Sequence, residues 1–366
     1  MTSLFDNVPL GELHLPNRIV MSPMTRVRSG VEGLATASMA TYYAQRASAG
    51  LIITEGIQPS LEGQSNPLTP GLYNAAQIDS WRQVTSAVHV NGGRIFAQVM
   101  HAGRISHPDT TGYQAVAPSA VAARDALVFT PSGPQLAPVP RALATSEVPG
   151  VAESYATAAR GAMTAGFDGV ELHGANGYLI GQFLSSNANL RTDRYGGIIS
   201  GRIRFAVEAV TATADAIGAD RVGLRVSPGA GIWDVSESEI PELYGALLEE
   251  LAPLGLAYLH VAASPEEDVI RGLRRAWEGA LIVNPSKPGS AVPSRREDAD
   301  RWLLEGADLI SFGRAFLANP DLVERLRADH PLAVADVGTY YTGGDEGYIT
   351  YQPFSHAPSA LVAAEG

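Results

Sequence analysis

The sequence predicts an α/β protein of the (β/α)8 TIM-barrel class. Short apolar runs bounded by turn residues alternate with helix-like stretches from end to end, and eight such runs can be counted. The runs are continuous rather than alternating, as expected of parallel strands covered on both faces. With 366 residues, 45% of them hydrophobic, and no Gly/Ser-rich or charge-rich linker, the chain suits one barrel with insertions.

The predicted strands cover residues 18–22, 51–55, 94–99, 169–173, 221–226, 258–262, 281–284 and 308–312. The spacing places helices at 36–49, 75–90, 151–165, 201–217, 237–254, 265–277, 296–304 and 320–328. Ser236 with Glu239 reads as a capping box, in which each end satisfies an orphan N–H of the other. Ser264-Pro265 and Asn319-Pro320 read as cap-then-proline helix starts. Residues 8–10 and 13–15 flank Gly11-Glu12, a two-residue hairpin signal that could plug the barrel floor. Residues 1–366 are expected to form a single domain. In it, a long insertion at about 100–147 stands over the mouth of the barrel, followed at the end by a loosely held tail at about 352–366.

Composition narrows the chemistry. The absence of cysteine excludes disulfides, thiolate metal sites and cysteine nucleophiles. Redox chemistry would therefore belong to a bound organic cofactor or another metal. A net charge of −12 argues against nucleic acid and anionic membranes as partners, though a local basic pocket could still hold an anionic cofactor. The first nine residues lack a secretory pattern and no apolar run reaches membrane-spanning length, so the expected location is cytoplasmic. A homo-oligomer is compatible with all of this.

In such barrels chemistry collects where strands end. There the sequence sets Thr25 and Arg26, Glu55-Gly56, Gln98 and His101, His173, Asn176 and Tyr178, Arg225, and Gly313-Arg314. A structural barrel has no need of so many polar groups at one rim. Phosphate-cradling loops, dinucleotide-binding glycine patterns, serine elbows and paired metal-binding histidines are absent, so a nicotinamide would visit the pocket without a Rossmann domain. A hydrolytic or lyase barrel would need paired carboxylates, and Glu55 and Glu171 are the only obvious candidates. A flavin-binding protein without catalysis could dispense with His173, Asn176 or Tyr178.

Several runs carry a resemblance. The stretch LPNRIVMSPMTR from Leu15, HAGR from His101, ELHGANGYLIGQFL from Glu171 and NLRTDRYGG from Asn189 resemble the old yellow enzyme family. So do RVSP from Arg225, SFGR from Ser311, NPDL from Asn319 and GYI from Gly347, in the family's order over essentially the whole chain. The resemblance implies bound FMN, NADPH or NADH as transient reductant, and electron-poor alkenes as substrates: unsaturated carbonyls, maleimides and nitroalkenes. It implies that Thr25, Gln98 and Arg225 meet the pyrimidine edge of the flavin. Pro23, Met24 and Gly56 would approach its ring, and Arg314 with Gly313 would hold its phosphate. It makes His173 and Asn176 the pair that activates the substrate oxygen and Tyr178 the proton donor. The remaining substrate wall would be Met100, where a tryptophan is common, Asn66, where a tyrosine is common, and Tyr348. Residues 284–289 lack the family's glycine-rich phosphate turn. The lone lysine there, Lys287, either supplies the missing charge or is solvated.

Overall fold

Eight parallel strands close into a barrel in chain order, and the last strand returns to the first through Ser311 beside Val20. They are β1 (Ile19–Met21), β2 (Leu51–Ile57), β3 (Ile95–Val99), β4 (Gly169–Gly174), β5 (Val222–Val226), β6 (Tyr258–Val261), β7 (Leu281–Val283) and β8 (Leu309–Phe312). Every residue in these strands is buried, which is why their sequences read as unbroken apolar runs. The computed structural model describes residues 2–262, 266–286, 292–342 and 344–354.

The main helices are α1 (Ala37–Ala44), α2 (Ala75–Val90), α3 (Val148–Thr164), α4 (Ile199–Ile217), α5 (Ile240–Leu251), α6 (Glu267–Ala276), α7 (Arg296–Leu304) and α8 (Leu322–Ala328). Thr36 caps α1 by accepting from the Met39 N–H, and Asn74 caps α2 from Gln77. The capping box expected at Ser236 does not form. A helix from residue 237 would put Pro241 where a helical N–H is required, so α5 starts at Ile240 with proline in its first turn. Glu239 instead adopts a left-handed φ of +57° and pairs with Arg202 at 3.2 Å. Asn319 does not cap α8 either: its side chain brackets the Ala315 and Ala333 carbonyls and accepts from the Ala333 N–H, so α8 begins at Leu322. The expected Ser264-Pro265 cap lies outside the described residues. Among the described residues, no helix is long and apolar enough to cross a membrane.

The barrel interior is layered. At the floor, the hairpin Val8–Leu10 with Leu13–Leu15 packs Val8, Leu10 and Leu15 against Val20, Leu51, Phe96 and Leu309. Gly11 turns this hairpin at φ +54°, where a Cβ would collide with the Asp220 carbonyl. Above that apolar plug comes a buried polar layer containing Gln98, Glu171, His260 and Ser311. The strand ends open above it.

The insertion after β3 folds into a parallel pair, Val116–Ala117 with Arg141–Ala142, and an antiparallel pair, Leu127–Thr130 with Gly133–Leu136. Its Ile105, Ala123, Ala126, Val128 and Ala137 form a small apolar cluster against Tyr178 and Trp233. Of the tail expected to be loose, residues 352–354 are tied down. Arg325 donates to the Gln352 carbonyl at 3.1 Å, and the Phe354 N–H donates to Asp321 at 2.7 Å. Residues 355–366 lie outside the described part.

Candidate active site

A cavity of about 410 Å³ opens at the carboxyl ends of the strands. Its wall brings together residues that the sequence scatters over three hundred positions. Pro23, Met24 and Thr25 come from the loop after β1, Gly56 from β2, Gln98 from β3 and Met100 from the residue just after it. His173, Asn176 and Tyr178 come from the end of β4, Arg225 from β5, and Arg314 from the turn after β8. Gly313 sits behind Met24, with its Cβ position 3.5 Å from the Met24 sulfur. Gly56 lies directly beneath Met100: a Cβ there would come within 2.8 Å of the methionine sulfur, so a larger residue would displace that side chain.

Two expected wall residues lie elsewhere. Asn66 spends its amide on Ser65 and its carbonyl on Gln64 and Thr69, closing the 64–69 turn outside the cavity lining. Tyr348 is fully buried behind the wall, stacked on Tyr42 at 4.1 Å with the Arg26 and Arg28 guanidinium groups over its ring. The wall is completed instead by Arg26, expected only as a rim residue, and by Leu317, Tyr340 and Tyr341, which were not expected there. Arg26 donates to the carbonyls of Tyr340 and Gly347, and Arg28 to those of Thr339, Tyr340 and Gly344. These two buried arginines fasten the C-terminal segment across the mouth and so deliver both tyrosines to it. The only advance signal was the arginine pair itself, in the same run as Thr25.

The turn after β4 explains how three functional side chains share one wall. His173 is the last but one residue of the strand, Asn176 takes a left-handed φ of +55°, and Tyr178 precedes the short helix Leu179–Leu184. The Asn176 N–H donates to Ser227 Oγ at 2.7 Å, which fixes the strained residue. The His173 and Tyr178 rings lie 5.2 Å apart. Burial, then the nearby Arg225, holds His173 well below the ordinary histidine range, so the imidazole is neutral. Burial pushes the Tyr178 phenol up to about 12.

Of the two carboxylates that a hydrolytic reading would need, Glu55 pairs with Tyr43 and Glu171 with Gln98 and His260. Neither hydrogen-bonds a second carboxylate. His101 is a structural joint: its Nδ1 accepts from Gly103, its carbonyl from Leu179, and burial lowers its imidazole to about 4.

The wall fits a flavin. Arg225 Nε and His173 Nδ1 are buried without a protein partner, as donors or acceptors awaiting a ligand would be. The Thr25 hydroxyl, the Gln98 amide and the Arg225 guanidinium are hydrogen-bonding groups suited to a ring edge carrying carbonyls and an N–H. Arg314 is suited to a phosphate. On the phosphate side, Ser286 bonds Asn284 and Ser294, whereas Lys287 lies outside the described residues.

Comparison with known proteins agrees with this fit. The model of the NADH:flavin oxidoreductase / NADH oxidase family matches residues 3–333. The chain is 42% identical to the "Probable flavin mononucleotide-dependent alkene reductase" of Leishmania infantum, over 94% of this chain and 95% of that protein. It is 38% identical to 12-oxophytodienoate reductase 1 of Oryza sativa subsp. japonica, over 94% and 91%. Among solved structures, the old yellow enzyme homologue of Zymomonas mobilis superposes with a TM-score of 0.92 at 38% identity, covering 96% of this chain and all of that one. Morphinone reductase in complex with tetrahydroNAD also superposes at 0.92, with 39% identity over 97% and 98%. The chain belongs to the NADH:flavin oxidoreductase / NADH oxidase family, in its old yellow enzyme group, and is an FMN-dependent oxidoreductase served by a nicotinamide.

Proposed function

We propose that this oxidoreductase reduces activated alkenes, with unsaturated carbonyls, maleimides and nitroalkenes as substrates and Tyr178 as proton donor. The observation that carries the reading is the convergence of His173, Asn176 and Tyr178 on one cavity wall beside Arg225. The reductases of Leishmania and rice point the same way. FMN, when bound, supplies hydride obtained from NADPH or NADH. His173 and Asn176 hold the carbonyl or nitro oxygen of the alkene. Neutral His173 offers one N–H, and Asn176 offers its amide. As hydride reaches the β-carbon, negative charge grows on that oxygen, and each preorganised donor stabilises it by about 3–4 kcal/mol. Tyr178 then protonates the α-carbon. Its phenol keeps its proton throughout the neutral range because burial disfavours the phenolate.

FMN-loaded protein should oxidise NADPH or NADH in the presence of 2-cyclohexenone, maleimides or nitroalkenes. Tyr178→Phe should leave flavin reduction by the nicotinamide within about twofold and slow the alkene step about 100-fold, since only the second step moves a proton to carbon. Equal losses in both half-reactions would show that Tyr178 serves structure or general binding. Absence of turnover by the native protein with all three classes would contradict the substrate assignment.

A further inference from the structure

Beneath the cavity runs a buried polar chain that the proposed reaction does not use. Gln98 donates from Nε2 to Glu171 Oε1 at 2.7 Å. The other carboxylate oxygen meets His260 Nδ1 at 2.8 Å, and His260 Nε2 meets Ser311 Oγ at 2.9 Å. The four side chains come from β3, β4, β6 and β8, and none is more than 2% exposed.

The direction of each bond follows from donor chemistry. Burial keeps His260 below the ordinary histidine range although Glu171 pulls it up, so the ring is neutral and carries one N–H. A carboxylate only accepts, so Nδ1–H donates to Glu171, and Nε2 accepts from the Ser311 hydroxyl. The chain ends at Gln98. An amide has one donor end and one acceptor end. One of the two N–H groups on the nitrogen goes to Glu171, and the oxygen is left as an acceptor for the cavity. Thr25 and Arg225, on the same wall, can both donate. The wall thus combines one acceptor with donors, the complement of an imide edge in which an N–H lies between two carbonyls. Glu171 also faces Arg225 electrostatically and offsets its charge.

We propose that Glu171 is a positioning residue. It holds Gln98 by the amide nitrogen, so that the wall selects the imide edge of the flavin, and its charge restrains the electron affinity that Arg225 confers. This inference rests on the reading of Gln98 as a flavin-edge residue. Loss of the charge leaves Arg225 uncompensated, which favours the reduced, more negative flavin.

The test uses the full-length protein, with FMN affinity measured by fluorescence titration and the flavin midpoint potential by equilibration with reference dyes. Glu171→Gln frees the Gln98 amide to turn, and the dissociation constant of oxidised FMN should rise about tenfold. The same substitution should favour reduced over oxidised FMN about tenfold, an upward shift of about 30 mV for a two-electron couple. Glu171→Asp keeps the charge but shortens the arm. It should weaken FMN binding several-fold at an unchanged potential, and it decides alone if the glutamine variant does not fold. Gln98→Leu is the reference. If it weakens FMN binding while Glu171→Gln binds FMN at the wild-type potential and affinity, the positioning role is overturned. If Gln98→Leu itself leaves affinity unchanged, the flavin-edge reading of Gln98 fails. An equal shift of potential in the Asp and Gln variants would overturn the role of the charge.

Discussion

Glu55 stands one residue from the cavity-lining Gly56 and is wholly buried, with Tyr43 its hydrogen-bond partner and one carboxylate oxygen unpartnered. Burial raises its carboxyl to about 7, against the pull of Arg26, where an ordinary glutamate titrates near 4.5. The folded protein therefore holds the proton more tightly than the unfolded chain does. The stability this contributes is fully present below the unfolded value of 4.5 and is lost as pH rises towards about 7. Glu55→Gln removes that dependence. Relative to wild type, the variant should gain up to roughly 3 kcal/mol of unfolding free energy between the two values, read from denaturant curves. Parallel pH profiles for the two proteins would contradict it. At this scale the sequence was legible where function is local. His173, Asn176 and Tyr178 fall within six residues, so one turn presents all three. It was illegible where side-chain direction decides: Asn66 is consumed by its own turn and Tyr348 by its stack on Tyr42. Tyr340 and Tyr341 reach the wall only because Arg26 and Arg28, three hundred residues earlier, hold their segment.

Elements were legible in the strands and less so at helix ends. A strand covered on both faces must be apolar throughout, so the eight runs marked the barrel with small boundary errors. The start of α5 was misread because a serine-glutamate pattern outweighed the proline two residues beyond it, whose missing N–H sets where a helix can begin. The short helices Leu179–Leu184 and Arg314–Ala318 were not anticipated. They are too brief for periodicity to show. The position proposed to shape substrate choice is Met100, immediately after β3. Met100 fills the space above Gly56, and the insertion that follows brings Phe129 within 6.2 Å of Tyr341. An unbranched methionine adapts to its neighbours, whereas a tryptophan there would be larger and rigid. Met100→Trp should lower kcat/KM for a β-substituted cyclic enone at least about tenfold more than for 2-cyclohexenone, a difference of about 1.4 kcal/mol. Unchanged discrimination, with unchanged product configuration, would show that Met100 does not set the shape of the site.

Over the whole molecule, three layers divide the labour. The hairpin plug and the apolar residues above it close one end, the polar chain from Ser311 to Gln98 occupies the middle, and the strand ends carry the cavity. The plug was legible from a turn signal between two apolar pairs. The polar middle was not, because Glu171 and His260 are eighty-nine residues apart and meet only through barrel closure. In the proposed reaction, this one cavity passes hydride from a nicotinamide to an alkene β-carbon while the protein supplies a solvent-derived proton to the α-carbon. The most direct measurement is the position of deuterium in the product of a single turnover. With the nicotinamide deuterated at its transferable position and the solvent ordinary water, deuterium should appear at the β-carbon alone; with ordinary nicotinamide in heavy water, it should appear at the α-carbon alone. Deuterium from the nicotinamide at the α-carbon, or solvent deuterium at the β-carbon, would contradict the proposed reaction.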